Sequence, residues 1–137
     1  MTNLVEKLLS TGFGLLILIS FLTIINPFLS SFTNYSEFEE KYEKINENIN
    51  LIDSSIRYSI KYKTDYSQEI LIFYNINITV EGIQVNYEFY IFERDFVKYS
   101  YDLLLESGFY ALASQNYYNL NILYLSDSIS IKFKQIS

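Results

Sequence analysis

Between Lys7 and Glu37 the chain carries no Asp, Glu, Lys or Arg. Within that interval Thr11 to Phe32 (TGFGLLILISFLTIINPFLSSF) gives about 22 residues, or about 33 Å of helix, against a hydrocarbon core of about 30 Å. Apolar residues fill most of Phe13 to Ile25, and each favours insertion by about 0.3 to 0.6 kcal/mol, so this stretch alone favours the bilayer by about 3 to 6 kcal/mol as an upper value. A buried helix of a soluble core would need a partner surface all round, and the rest of the chain is too short to supply one. The pattern therefore predicts a short tail over residues 1–10 and a transmembrane helix over 11–32. Asn26-Pro27 falls near its outer end, where a kink or break is tolerated.

A different period follows. From Ser36 to about Lys63, Phe38, Tyr42, Ile45, Ile49, Ile52 and Ile56 are spaced by four, three, four, three and four, a heptad-type stripe. Ser36 with Glu39 has the form of a capping box, so a stalk helix over 33–64 either starts here or continues from the membrane. The stripe packs on the chain's own sheet or pairs with helices of other subunits. Three heptads are near the minimum for an independent coiled coil, which favours the first arrangement.

Beyond residue 65 the period drops to two. Ile70, Ile72, Tyr74, Ile76, Ile78 and Val80 alternate with Asn75, Asn77 and Thr79 as one strand. Glu81-Gly82 turns it into a partner carrying Ile83, Val85, Tyr87, Phe89 and Ile91. A second pair is expected around Glu106-Ser107-Gly108, with Tyr99 to Leu105 before it and Phe109 to Ala113 after it, a short helix on either flank being the alternative. In a third, Ser126-Asp127 joins Leu120, Ile122 and Tyr124 to Ile129, Ile131 and Phe133. The expected fold class is α+β: an N-terminal transmembrane helix, an amphipathic stalk helix, and a small antiparallel β-sheet or sandwich head over 65–137.

Composition narrows the chemistry. The 137 residues include no Cys, His or Trp and one Pro, beside 14 Tyr and 11 Phe. No disulfide or zinc site can staple the head, so aliphatic and aromatic burial must hold it. A net charge of -6 without a Lys/Arg cluster argues against a nucleic-acid partner. Catalysis would have to rest on carboxylates, Ser or Lys. Glu93 and Asp95 flanking Arg94 are the nearest approach to a carboxylate pair, and Asp102 and Glu106 read as surface charges. We expect no enzyme, no cofactor and no metal.

Topology rests on thinner signals. Lys7 on one side faces Lys41 and Lys44 on the other, so the positive-inside count is close to a tie. Two Asn-x-Ser/Thr sequons, at Asn34 and Asn77, place the C-terminal domain outside the cell membrane. The end of the apolar run, NPFLSSF, has no small-x-small cleavage site, because Phe28 precedes Ser30 by two positions and Leu29 precedes Ser31. A retained single-pass anchor is the expectation.

The segment KLLSTGFGLLILISF, with Lys7 ahead of a Gly12-Phe13 junction and an unbroken apolar helix after it, resembles the leader and N-terminal helix of type IV pilins. The order of amphipathic helix and then antiparallel strands resembles pilin heads and the membrane-anchored accessory proteins of archaeal pili and archaella. The resemblance implies leader cleavage between Gly12 and Phe13 and co-assembly with other surface or membrane subunits, including copies of itself. The chain differs in two places: its basic residue lies well upstream of Gly12, and Ile17 stands where bacterial pilins have a glutamate.

Overall fold

The charge-free and amphipathic segments form one helix. The computed structural model, which describes residues 2–136, carries α1 from Thr2 to Tyr62 without a break. The expected N-terminal tail is helical wherever it is described. Pro27 lies inside α1, withholding one N–H from the ladder without ending it. Ser36 and Glu39 cap nothing: they sit in mid-helix, where the preceding turn already supplies the acceptors that a cap would replace.

Two compact units share this helix, one ending at Glu37 and the other starting at Phe38. In the first, the large apolar side chains are exposed all round the helix, and an 18-residue window reaches a mean hydropathy of 2.4 with none of it buried. The hydroxyls of Thr11, Ser20, Thr23, Ser31 and Thr33 each donate to the carbonyl four residues earlier, at 2.7 to 3.0 Å. Folding back in this way satisfies a hydroxyl where no water is available. The helix is long and apolar enough to cross a membrane.

The second unit is an α+β head. Its strands are β1 (Tyr66–Ile72), β2 (Ile76–Glu81), β3 (Gln84–Tyr90), β4 (Arg94–Ser100), β5 (Leu104–Leu105), β6 (Gly108–Leu112), β7 (Asn116–Tyr124) and β8 (Ser128–Gln135). They form two four-stranded sheets, ordered β1-β7-β8-β5 and β4-β3-β2-β6. All neighbours are antiparallel except β5 and β8, which run parallel.

The single strand expected over Ile70 to Val80 is divided between the sheets, and the alternation survives the division. Ile70, Ile72, Ile76, Ile78 and Val80 are all buried. In the first sheet Tyr66 pairs with Ile122 and Ile72 with Asn116; in the second Ile76 pairs with Leu112 and Val80 with Gly108. The register is continuous from one sheet to the other, so β1–β2 and β6–β7 are one antiparallel ribbon bent at Phe73–Asn75 and Ala113–Gln115. Such a corner is how strands switch between packed sheets.

Asn48 of α1 holds the corner. Its Nδ2 donates to the Leu71 carbonyl at 2.8 Å, and its Oδ1 accepts the Phe73 N–H at 3.1 Å. From the other strand, the Gln115 N–H reaches the Ile72 carbonyl at 2.6 Å and the Ser114 N–H reaches Asn75 Oδ1 at 2.7 Å. The bend also explains why the expected pairing across Glu106-Ser107-Gly108 does not form. β6 belongs to the ribbon and pairs with β2, while β5 crosses to β8.

The other two hairpins form, the last on the expected Ser126-Asp127 turn and the first with its turn one residue later than expected, on Gly82-Ile83, so that Ile83 is 47% exposed in the turn and does not face the core. Glu81 pairs with Gln84 across Gly82-Ile83, and of these two only Gly82 has positive φ (+62°), the pattern of a type II′ turn. Ser126 (φ +69°) takes the same position between Leu125 and Ser128. The isoleucine stripe packs against both sheets: Ile45, Ile49, Ile52 and Ile56 are at most 1% exposed and share one core with Ile72, Ile78, Tyr87, Leu120 and Ile122. These four isoleucines are therefore consumed within the chain, which leaves only Phe38 and Tyr42 of the stripe partly exposed. At its C-terminus α1 closes with Lys63 in the left-handed region (φ 51°) and the Thr64 N–H on the Ser59 carbonyl at 3.2 Å, a Schellman arrangement.

Candidate functional site

The residues singled out by sequence are scattered. Gly12 and Phe13 lie in the interior of α1, and a Cβ placed on Gly12 would meet nothing within 4 Å. Neither sequon occupies a loop: Asn34 is exposed on α1, and Asn77 is half-buried in β2 between β3 and β6. Phe38 and Tyr42, the outer end of the stripe, pack on the β3 side of the head, with Phe38 against Phe92 at 4.8 Å and Tyr42 against Phe89 at 6.4 Å between ring centroids.

The carboxylates proposed for acid/base work do not converge. Glu93 and Asp95 are both exposed around the β3–β4 turn, and Asp95 Oδ1 accepts the N–H of its neighbour Phe96. Asp102 and Glu106 are exposed as well. Among the described residues no group of three or more acidic side chains is placed to hold a metal ion.

Register builds a surface on the outer face of the second sheet instead. Val85, Tyr87 and Phe89 of β3 point into the core, so Asn86, Glu88 and Tyr90 point out. Across the sheet Phe96, Glu88, Asn77 and Ala111 form one row, and Lys98, Asn86, Thr79 and Phe109 the next. Tyr90, Phe96 and Phe109 are 68%, 49% and 64% exposed, a density of aromatic surface that a sheet face in water does not require. The corner end of this face deepens into an open cleft of about 490 Å³ between Tyr74, Asn75, Asn77, Glu88, Tyr90 and Ser114. Glu88 is the one carboxylate lining it, and the Arg94 guanidinium is hydrogen-bonded to its Oε1. That bond raises the arginine pKa. The cleft has donors, acceptors and one neutralised acid, which suit it to binding; a lone carboxylate already paired to arginine is poorly placed to move protons.

A second polar cluster, on the core side, is structural in form. Tyr101, 4% exposed, donates from its hydroxyl to Asp53 Oδ1 at 2.5 Å, and Arg57 Nε meets Asp53 Oδ2 at 3.0 Å. The Arg57 guanidinium lies 5.0 Å from the Tyr101 ring centroid, and its hydrogen bond to Asp53 raises its pKa. Burial pushes the Tyr101 and Tyr87 hydroxyls far above the ordinary tyrosine range. The buried Tyr87 hydroxyl makes no hydrogen bond of acceptable geometry. These groups tie residue 101 to α1 and do not line the cleft.

The sequence carried part of the site. The alternation put Asn77 and Glu88 on the same face of one hairpin, and the Gly82-Ile83 turn sets them opposite each other, whereas β4 and its Phe96 went unseen because Arg94, Asp95 and Lys98 disguise the period of an edge strand. No protein-family model, curated protein or solved structure matches the chain.

Proposed function

We propose that this chain is a membrane-anchored, non-catalytic surface protein whose head binds another protein subunit through the outer face of its second sheet. The observation that carries this reading is the exposure of Tyr90, Phe96 and Phe109 together on one sheet face beside a cleft. Aromatic residues are enriched in protein interfaces and dominate their binding energy. The apolar segment of α1 supplies the anchor. On the resemblance of residues 7–21 to pilin leaders, the partners are pilin-like or filament-accessory subunits, and the head lies outside the cell membrane.

Two measurements test the reading. A photo-crosslinking residue at position 109 should trap other surface subunits in intact cells, while the same residue at Lys132, on the other sheet, should not; recovery of monomer alone from both overturns it. N-terminal sequencing of the native membrane protein separates a Phe13 start, the pilin route, from a Met1 start, the permanent anchor. The cleft favours one other reading, a tethered module that binds a small polar ligand without filament assembly. Under it, Asn77→Ala and Glu88→Gln abolish ligand binding while Phe109→Ala leaves it intact.

A further inference from the structure

The apolar part of α1 carries a polar group with no partner. Among the described residues the Asn26 side-chain amide makes no hydrogen bond, whereas the neighbouring Ser20 and Thr23 hydroxyls are satisfied within the helix. One turn back, the Thr23 carbonyl has also lost its helical donor, because residue 27 is proline.

Depth makes this matter. The charge-free stretch from Leu8 to Ser36 is 29 residues, about 43 Å of helix, which matches a bilayer of about 40 to 45 Å including its headgroups. Its midpoint is Leu22, so Asn26 lies about 6 Å from the membrane centre, deeper than the outer-end position expected from the sequence and inside the hydrocarbon. There an amide without a partner is costly, and no water replaces one.

The face around Asn26 has a regular seam. Leucine recurs every seventh residue at Leu8, Leu15, Leu22 and Leu29, and four residues after each comes Gly12, Ile19, Asn26 and Thr33. These are the d and a positions of a heptad, with leucine at every d and one asparagine at a. The d-position leucines and Ile19 are all more than half exposed, and a groove opens along this face between Ile19, Leu22, Thr23, Asn26, Pro27 and Ser30.

We infer that this face pairs with the same face of a second copy in the membrane, forming a parallel two-helix coil with Asn26 against Asn26. Symmetry selects the partner. In a parallel pair of identical chains each residue meets its own counterpart at equal depth, and an amide is self-complementary, with its NH₂ donating and its C=O accepting. A single asparagine at an a position also fixes register and oligomer size. The inference rests on the membrane placement of the helix alone and is separable from the head's contact surface.

The test uses the full chain in phosphatidylcholine vesicles. With no native cysteine, single-cysteine variants report cleanly. Oxidative cross-linking should give dimers at positions 15, 19, 22 and 29 and little at 17, 21, 24 and 28 on the opposite face. By energy transfer between labelled copies, Asn26→Leu should weaken association by about three- to thirty-fold, while Asn26→Gln should preserve it. A monomeric wild type, cross-linking without this periodicity, or an Asn26→Leu chain that associates as well as wild type each overturns the inference.

Discussion

Replacing Asn48 tests whether the corner between the sheets is held by hydrogen bonds or only by packing. Its side chain is 4% exposed and satisfies two main-chain groups, the Leu71 carbonyl on the open edge of β1 and the Phe73 N–H just beyond its end. Asn48→Ala leaves both without a protein partner. Each unsatisfied buried group costs about 1 to 3 kcal/mol, and Phe73 is only half-buried, so the sum should fall near 2 to 4 kcal/mol, roughly the lower part of that range doubled. Asn48→Leu separates the mechanisms: it restores volume but neither hydrogen bond, and should lose about as much as Ala. Urea unfolding in detergent micelles, followed by near-UV circular dichroism, reads the head, because every tyrosine except Tyr35 belongs to it. Amide exchange at Phe73 should accelerate in both variants. If Asn48→Leu is as stable as wild type, packing holds the corner and the argument fails.

The same unfolding assay checks further expectations. Lys63→Gly should stabilise the head by about 1 kcal/mol, because Lys63 occupies a left-handed position that glycine adopts without a Cβ clash. Gly82→Ala should destabilise by about 1 kcal/mol, a purely conformational cost since a Cβ there meets nothing within 4 Å. Ile52→Ala, at 0% exposure between helix and sheets, should lose about 2 to 5 kcal/mol. Tyr87 and Tyr101 stay protonated in the fold at pH values where unfolded tyrosine, with its ordinary value of 10.0, ionises. Stability should therefore be full below that value and fall as pH rises toward the raised folded-state values, by up to about 1.4 kcal/mol per pH unit for each group. Phe at both positions should flatten the alkaline decline, and an unchanged profile would show that neither hydroxyl is linked to folding.

What the sequence made legible follows from the range of each signal. A period of two or 3.5 belongs to the residues that display it, so the isoleucine stripe and the alternation from Ile70 to Val80 could be read directly, and each marks the buried face. The corner at Phe73–Asn75 could not, because the alternation continues through it and what bends the ribbon comes from Asn48, 25 residues earlier, and from Gln115, 42 residues later. Helix continuity was left open for the opposite reason. Ser36, Glu39 and Pro27 are local signals for a start and a break, and a long helix with its ladder already running overrides both. The aromatic face needed register: Phe96 joins Glu88 and Asn77 only once β4 is aligned on β3.

Two asparagines on one helix state the contrast between the units. Asn48 looks polar on an otherwise isoleucine-lined face, yet its amide finds both a carbonyl and an N–H supplied by the chain's own bent ribbon. The core around it is complete, and nothing further is required for that amide to be buried. Asn26 sits in a segment of that helix whose large apolar side chains are exposed, and its amide has neither partner. The same group with the same desolvation cost thus has an internal answer in the head and none in the membrane segment. If hydrocarbon is where Asn26 lies, the missing hydrogen bonds must come from a second polypeptide, and the leucine seam running through that face gives the contact its direction. Asn26→Leu is then the substitution whose sign distinguishes the two environments. It removes an unmet polar group and should leave the head's unfolding unchanged, while Asn48→Leu destabilises the head and should leave the helix pairing intact.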